Sequence, residues 1–378
     1  MTMKPLYLRH PARPYPRGWF CVGWSSEVKL GQAVPREFMG RELLVFRGKN
    51  GVVSAVDSHC PHLGAHFLDS GGSVEGDTIR CGFHGFRFSG DGTCVATGYD
   101  SPPPKGLCVL SYKVIETHQA IFVWFDPDGG APLWELPAES DSGEWSPIVS
   151  QDFRIPVHLV DQVENGVDRG HFQHLHLGQE VEFTKKPHFG NYEFSFAVDA
   201  KQPKRVTKIF KLDTDQFVAS LVAEVRGLGW IRNWITLDVL GCVFRVMAFP
   251  TPRSSVFDLD LRIGFSVKDI PKDRKQVRGI GALSAKLPKS WRHWLLDQMF
   301  RYASQQEVEV DTRALASRRY IDQPLLAKGD GPIILYRQWA DKFYAPREVA
   351  DSRVLQLGTH RASDTLSATS VPTQRPRK

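Results

Sequence analysis

The stretch from Cys60 to His84 constrains this chain more than any other. Two short loops each offer one thiolate and one imidazole, as Cys60-x-His62 and Cys81-x-x-His84. Such loops must crowd several backbone segments round one small object. Gly64, Gly82 and Gly85 permit that approach because they carry no Cβ. Two cysteines and two histidines suit a single tetrahedral zinc. They suit equally a 2Fe–2S cluster, with both thiolates on one iron and both imidazoles on the other.

Zinc fingers keep their cysteines together and their histidines together, whereas here each loop carries one of each. With Pro61, Leu63-Gly64-Ala65-His66 and Phe83-His84-Gly85-Phe86 around it, the arrangement resembles the Rieske pattern. The resemblance implies Cys60 and Cys81 on one iron and His62 and His84 on the other. One departure is the gap of eighteen residues between His62 and Cys81, slightly longer than is common in that family. The surplus falls in the turn-like Leu68-Asp69-Ser70-Gly71-Gly72, where a loop absorbs it at small entropic cost.

A length of 378 residues is comfortable for two domains, and 32 Gly with 25 Pro point to a loop-rich, β-containing architecture. The net charge of +6 is modest and dispersed. Basic residues thicken at 271–278 and at Arg318-Arg319, but without an aromatic-interleaved basic face, so no nucleic-acid partner is expected. Of six cysteines, only Cys60 and Cys81 have ligand spacing, and no disulfide framework is visible. That usage fits a reducing cytoplasm. No apolar run approaches the ~20 residues that span a bilayer. Met1-Thr2-Met3-Lys4-Pro5 leads into Arg and Pro rather than a signal-peptide core, so a soluble chain with no membrane partner is expected.

Residues 1–18 form a Pro- and Arg-rich arm. Strand-like runs follow at Trp19-Phe20-Cys21-Val22-Gly23-Trp24, at 41–47 and at 52–56, the last two separated by Gly48-Lys49-Asn50-Gly51. Asn-Gly between two such runs predicts a hairpin. A further strand, Ala120-Ile121-Phe122-Val123-Trp124-Phe125, completes a small antiparallel β domain over 19–135, which holds the two loops at its tip. Residues 132–147 read as an irregular connector. Beyond it, strands are expected near 206–212, 218–225, 234–239, 244–249 and 259–265. Residues 271–287 read as a mobile loop or lid. From Trp291 to Arg319 the pattern is helical, with Trp291, Leu295, Met299 and Tyr302 on one face. Residues 351–378 are expected to be a disordered tail.

The second chemically loaded stretch is Glu164-Asn165-x-x-Asp168-x-x-His171-x4-His176. Two histidines five apart lie about 140° from each other on a straight helix. Gly166 and Gly170 would let the helix break so that both imidazoles converge. Two histidines and one remote carboxylate, with open positions on the metal, are the ligand set of non-haem Fe(II) oxygenases. The plain alternative is a set of polar residues on a solvated helix.

Over residues 15–345 the chain resembles the oxygenase subunit of Rieske non-haem iron oxygenases, in the group of ketosteroid hydroxylases, cholesterol-desaturase relatives and aminopyrrolnitrin-type N-oxygenases. In that group an Asp stands about ten residues before a signature matched here by Ile321-Asp322-Gln323-Pro324-Leu325-Leu326, Asp330-Gly331-Pro332, Arg337-Gln338-Trp339 and Phe343-Tyr344. Counting back ten places gives Asp311 as the third iron ligand beside His171 and His176. Glu307 and Glu309 are the fallback carboxylates, and the family's Trp and Lys after this Asp are replaced by Leu315 and Arg318.

The resemblance implies an α+β architecture: an N-terminal antiparallel β Rieske domain, then a C-terminal helix-grip catalytic domain over 148–348, a curved antiparallel sheet with a long helix. It implies one 2Fe–2S cluster and one Fe(II) per chain. It also implies a homotrimer in which Asp168 links a Rieske histidine of one subunit to an iron-ligating histidine of the next. No Gly-rich dinucleotide fingerprint follows a strand, so electrons are expected from a separate ferredoxin or flavin reductase. The implied activity is terminal oxygenase, using O2 to hydroxylate a small, ring-containing organic substrate. Desaturation, N-oxygenation and O- or N-demethylation stay open, as do a Rieske ferredoxin-like electron carrier and a zinc-binding module.

Overall fold

The computed structural model describes residues 15–138, 145–176, 180–202, 217–270, 277 and 279–344. Most of the expected N-terminal arm, the strand expected at 206–212 and the expected tail at 351–378 lie outside them.

Three small antiparallel sheets come first. β1 (Gly18–Trp24), β10 (Val114–Thr117) and β11 (Ala120–Phe125) form a three-stranded sheet in the order β1-β11-β10. β2 (Ala33–Phe38), β3 (Arg41–Arg47), β4 (Val53–Asp57) and β9 (Ser111–Tyr112) form a second. The predicted hairpin is there: Arg47 pairs with Val53, Gly48 N–H donates to Val52 O, and Gly51 takes φ 85°. β5 (Ser73–Glu75), β6 (Thr78–Arg80), β7 (Arg87–Ser89) and β8 (Cys94–Ala96) form the third, from which the Cys81–His84 loop projects.

A seven-stranded antiparallel sheet makes up the second half, in the order β12-β18-β17-β16-β15-β14-β13. Its strands are β12 (Val149–Ile155), β13 (Glu180–Phe189), β14 (Glu193–Gln202), β15 (Phe217–Arg226), β16 (Trp230–Leu237), β17 (Cys242–Pro252) and β18 (Leu259–Asp269). β12, β13 and β14 were not among the expected strands. Edge strand β13 is largely polar and mostly exposed, so it carries no apolar alternation for a reader of the sequence to find.

Five α-helices complete the described chain: α1 (Leu159–Glu164), α2 (Gly170–Leu175), α3 (Gly279–Ser284), α4 (Lys289–Ser317) and α5 (Ile333–Asp341). Part of the expected loop at 271–287 is therefore helical. The long helix α4, about 43 Å at 1.5 Å per residue, packs on β18 and β12. Its expected apolar face is corrected as well. Trp291 and Tyr302 stand 67% and 70% exposed, and the buried positions are Arg292, His293, Leu296, Asp297 and Leu315.

β1 is buried along its whole length because it is covered on both sides. Phe20 and Val22 join the central core, while Trp19, Cys21 and Trp24 pack with Phe122, Trp124, Trp230, Met247 and Phe249 against the large sheet. Hydrogen bonds from Trp24 Nε1 to Asp152 (2.9 Å) and from Thr251 Oγ1 to Cys21 O (2.9 Å) fasten the two halves. The connector is part of this seam. Trp134 stacks on Tyr192 at 4.6 Å and meets Trp124 and Phe343 edge-on.

Candidate metal centres

The two cysteine loops fold into the same turn. Cys60 N–H donates to Ala65 O (2.8 Å) and Gly64 N–H to Cys60 O (2.9 Å). In the second loop Cys81 N–H donates to Phe86 O (2.8 Å) and Gly85 N–H to Cys81 O (3.0 Å). Each cysteine thus starts a turn that a glycine four places on closes in the left-handed region, at φ 77° for Gly64 and 73° for Gly85. A Cβ on Gly82 would stand 1.9 Å from Ser70 O, so the loops approach as closely as backbone allows.

Both thiols are buried, and the His62 and His84 rings lie 4.9 Å apart. His62 is stacked on Phe86 at 4.3 Å, and its Nδ1 is buried without a hydrogen-bond partner. Burial pushes the Cys60 thiol up to about 11, and the adjacent Cys81 adds to the rise. Thiolates there need a cation beside them. One thiol and one imidazole from each loop, with the two imidazole rings side by side, suit a 2Fe–2S cluster.

Further on, the expected helix break occurs. α1 ends at Glu164, α2 starts at Gly170, and His176 leaves the helix with φ −100° and ψ 61°. That exit swings His176 back until its ring is 5.0 Å from that of His171. Asp311 arrives from α4. His171, His176 and Asp311 present ligand atoms all within 4.8 Å of one another, the one such set among the described residues. Asp311 Oδ1 lies 2.9 Å from His176 Nε2 yet accepts no hydrogen bond, and His171 Nε2 is likewise buried without a partner. Two buried lone-pair atoms left unpaired and facing one point are what a cation would satisfy.

The surroundings hold each group in place. Asn165 Nδ2 donates to Asp311 Oδ2 (2.8 Å), and His171 Nδ1 faces the carbonyl oxygen of Asp168 at 2.5 Å. The Asp168 carboxylate accepts from Gly170 N–H (3.0 Å) and stands 3.9 Å from His171 Nδ1. Glu307, one turn before Asp311, contacts His176 Nδ1. Burial lowers His171, and it works against charge on His176 too, but Asp311 and Glu307 carry that ring up to about 9. Glu309 lies on the exposed side and pairs with Gln305. His174 lines a separate polar cavity of about 650 Å³ with Asp168, His171, Glu180, Glu182 and Asp330.

The signature after Asp311 fastens this region. Gly331, at φ 87°, lets the chain come so near Val167 that a Cβ would meet its carbonyl oxygen at 2.4 Å. Arg337 pairs with buried Glu164, and Trp339 is wholly buried beside Phe194.

A cavity of about 220 Å³ adjoins the triad. Its floor is two cross-strand rows over neighbouring strands: Phe196, Ala223 and Asn233, and Phe194, Val225, Ile231 and Ala248. Sequence reading missed these residues. Their only signal is alternation along β14 to β17, and which alternate set faces the pocket depends on strand register.

A Rieske [2Fe-2S] domain matches residues 18–113, and the 3-ketosteroid 9alpha-hydroxylase C-terminal domain matches 123–344. Cholesterol 7-desaturase of Bombyx mori is 28% identical over 355 residues, spanning 91% of this chain and 72% of its own. An oxygenase component of 3-ketosteroid-9-alpha-monooxygenase from Rhodococcus rhodochrous is 25% identical over 343 residues, spanning 88% and 82%. Among solved structures, dicamba monooxygenase bound to dicamba superposes with a TM-score of 0.66 at 18% identity, covering 90% of this chain and all of that one. At that identity it attests the fold. No described helix is long and apolar enough to cross a membrane. A 2Fe–2S cluster, a mononuclear iron, a small-molecule substrate and a separate electron-transfer partner come with this relationship. The chain belongs to the Rieske non-haem iron oxygenases, as a terminal oxygenase component with a 3-ketosteroid 9α-hydroxylase-type catalytic domain.

Proposed function

We propose that this oxygenase acts on a neutral, largely apolar, ring-containing molecule of the sterol type. The carrying observation is the cavity beside His171, His176 and Asp311. Val163, Phe172, Phe194, Phe196, Val225 and Ile231 wall it, Gln162 and Asn233 supply neutral amides beside Asn165, and among the described residues no Lys or Arg lines it. An apolar ring system gains from such walls, whereas a carboxylate would leave water for a wall whose described residues include no basic side chain to pair with it. Relatives named for cholesterol and 3-ketosteroid support the same class.

In this reading Cys60 and Cys81 hold one iron of the cluster, His62 and His84 the other, and His171, His176 and Asp311 the mononuclear iron. The buried, unpaired His62 Nδ1, His171 Nε2 and Asp311 Oδ1 fit those groups. When bound, the metal groups supply electron relay and O2 chemistry. The chain's own work is to orient the ligand atoms, seat the substrate and exclude water. The partition into domains at 19–135 and 148–348 belongs to this reading, as does a cytoplasmic location.

A homotrimer is also part of it. Leu63 and Phe83, 66% and 59% exposed, give the Rieske tip an apolar face that a neighbouring copy would cover. Asp168, in the polar cavity outside His171, is the residue a neighbour's Rieske histidine would meet.

The test is turnover of the metal-replete protein with a ferredoxin and its reductase, across steroids, arylamines and aromatic acids, with products identified by mass. Oxidation of neutral steroids with aromatic acids untouched is expected. Preferential oxidation of the acids would sink the substrate assignment. Product masses also separate hydroxylation from desaturation, N-oxygenation and demethylation.

A further inference from the structure

We infer that Glu307 is a positioning residue for His176, acting on the iron site from the far edge of the imidazole. That role presupposes His171, His176 and Asp311 as the iron ligands. α4 carries Glu307 and Asp311 four residues apart, so both carboxylates project from one face of the helix. Between them stands a single ring. Asp311 Oδ1 is 2.9 Å from Nε2, and Glu307 contacts Nδ1 on the opposite edge.

An imidazole nitrogen that donates its proton to a carboxylate cannot also ligate a metal. Glu307 therefore assigns the tautomer of His176: Nδ1 keeps the proton and Nε2, on the side of Asp311 and His171, is left as the donor atom. It follows that Glu307 is not itself a ligand. Its oxygens are absent from the set of atoms that converge within 4.8 Å, although its side chain reaches the same cavity.

The two histidines are consequently unequal. His171 Nδ1 bonds a neutral backbone carbonyl, that of Asp168, whose carboxylate stands off at 3.9 Å. His176 Nδ1 faces a full negative charge. A carboxylate behind an imidazole makes the ring a stronger donor and restricts its rotation. His176 needs that restraint because it sits where α2 has already ended, with no helix of its own to hold it. Asn165 does the corresponding work for Asp311.

The experiment uses full-length protein with its cluster intact. The mononuclear iron is stripped, and Fe(II) is titrated back into the parent, Glu307→Ala, Glu307→Gln and Asp311→Ala. The readouts are bound iron, cluster absorbance and the EPR spectrum of the ferrous nitrosyl adduct. Glu307→Ala should weaken Fe(II) binding about 10- to 100-fold and alter the nitrosyl spectrum, with cluster absorbance unchanged. Glu307→Gln, whose amide oxygen still accepts from Nδ1–H, should recover most of the affinity.

Parent-like affinity and nitrosyl spectrum in Glu307→Ala, with iron lost from Asp311→Ala, would overturn the role of Glu307 and leave the ligand reading standing. Loss of iron from both Glu307 variants as complete as in Asp311→Ala would make Glu307 a ligand, and overturn the inference. Retention of iron by Asp311→Ala would overturn the ligand reading and this inference with it.

Discussion

Arg337 grips Glu164 through two hydrogen bonds, Nε to Oε2 at 2.6 Å and Nη2 to Oε1 at 3.2 Å, and both residues are buried. Arg318 adds a third contact to the same carboxylate at 2.6 Å. The cluster ties the end of α1 to the C-cap of α4 and to α5, immediately beside Asn165 and Asp311. Electrostatics here serves placement, since Glu164 is the last helical residue before the chain turns toward His171.

Removing one partner of a buried pair leaves the others charged and unpaired, a cost of about 3–5 kcal/mol. Glu164→Ala strands the buried Arg337 and leaves Arg318 only its longer contact to Asp161 (3.6 Å), so its loss should fall in that range, read from urea midpoints on the metal-free protein. Arg337→Lys should recover only part of the loss, because an ammonium cannot bond both carboxylate oxygens in the plane as a guanidinium does. A midpoint for Glu164→Ala close to the parent's would show that the cluster does not hold these helices together.

Gly82 and Gly64 make a contrasting pair. A Cβ at Gly82 would meet Ser70 O, a backbone atom that cannot swing aside, whereas at Gly64 it would meet nothing within 4 Å. Gly82→Ala should therefore splay the loops and yield protein without the visible absorption of the cluster. Gly64→Ala carries only the strain of a left-handed backbone, about 1–2 kcal/mol, and should keep its colour. Equal colour in the two variants would count against the close approach of the loops.

Asp297 supplies a pH signature. It is 4% exposed, its Oδ2 accepts from Ser146 Oγ at 3.3 Å, and its Oδ1 has no donor. Burial raises its carboxyl from 3.8 to about 7. Between those values the folded chain keeps a proton that the unfolded chain has released. Stability therefore falls as pH rises through that window and levels off above about 7. A tenfold difference in proton affinity between the folded and unfolded chain is worth about 1.4 kcal/mol. Asp297→Asn should abolish this component and exceed the parent's stability at pH 8 by a few kcal/mol. Parallel stability curves for parent and variant from pH 4 to 8 would rule it out.

These residues also show what a reader of the sequence can and cannot see. The Rieske loops were legible because ligand type, spacing and the closing glycines all lie within one short stretch. His171 and His176 were legible for the same reason. Asp311 lies 135 residues beyond His176 and was reached only through resemblance to a family signature. The buried face of α4 was missed for a physical reason. It carries Arg292, His293 and Asp297, made tolerable by Asp269 and Ser146. The apolar periodicity pointed to Trp291 and Tyr302, which face solvent. The rows Phe196–Ala223–Asn233 and Phe194–Val225–Ile231–Ala248 exist only once four strands are in register.

Asp168→Asn isolates a role that one chain cannot perform alone. Within the chain, Asp168 does two things. Its carboxylate accepts from Gly170 N–H at 3.0 Å, and its carbonyl oxygen receives His171 Nδ1. Asparagine caps a helix start about as well as aspartate, and it leaves the backbone carbonyl where it was. Iron at both centres and the helix itself should therefore survive the substitution. What disappears is the negative charge in the polar cavity outside His171, the charge a histidine from a neighbouring copy would need in order to pair. If subunits exchange electrons across that junction, turnover should fall about 10- to 100-fold while metal content and cluster EPR stay at parental values. Slowed reoxidation of the reduced cluster in a single turnover would locate the defect at electron delivery. Near-parental turnover in fully metallated Asp168→Asn would remove Asp168 from the junction and leave it a helix cap.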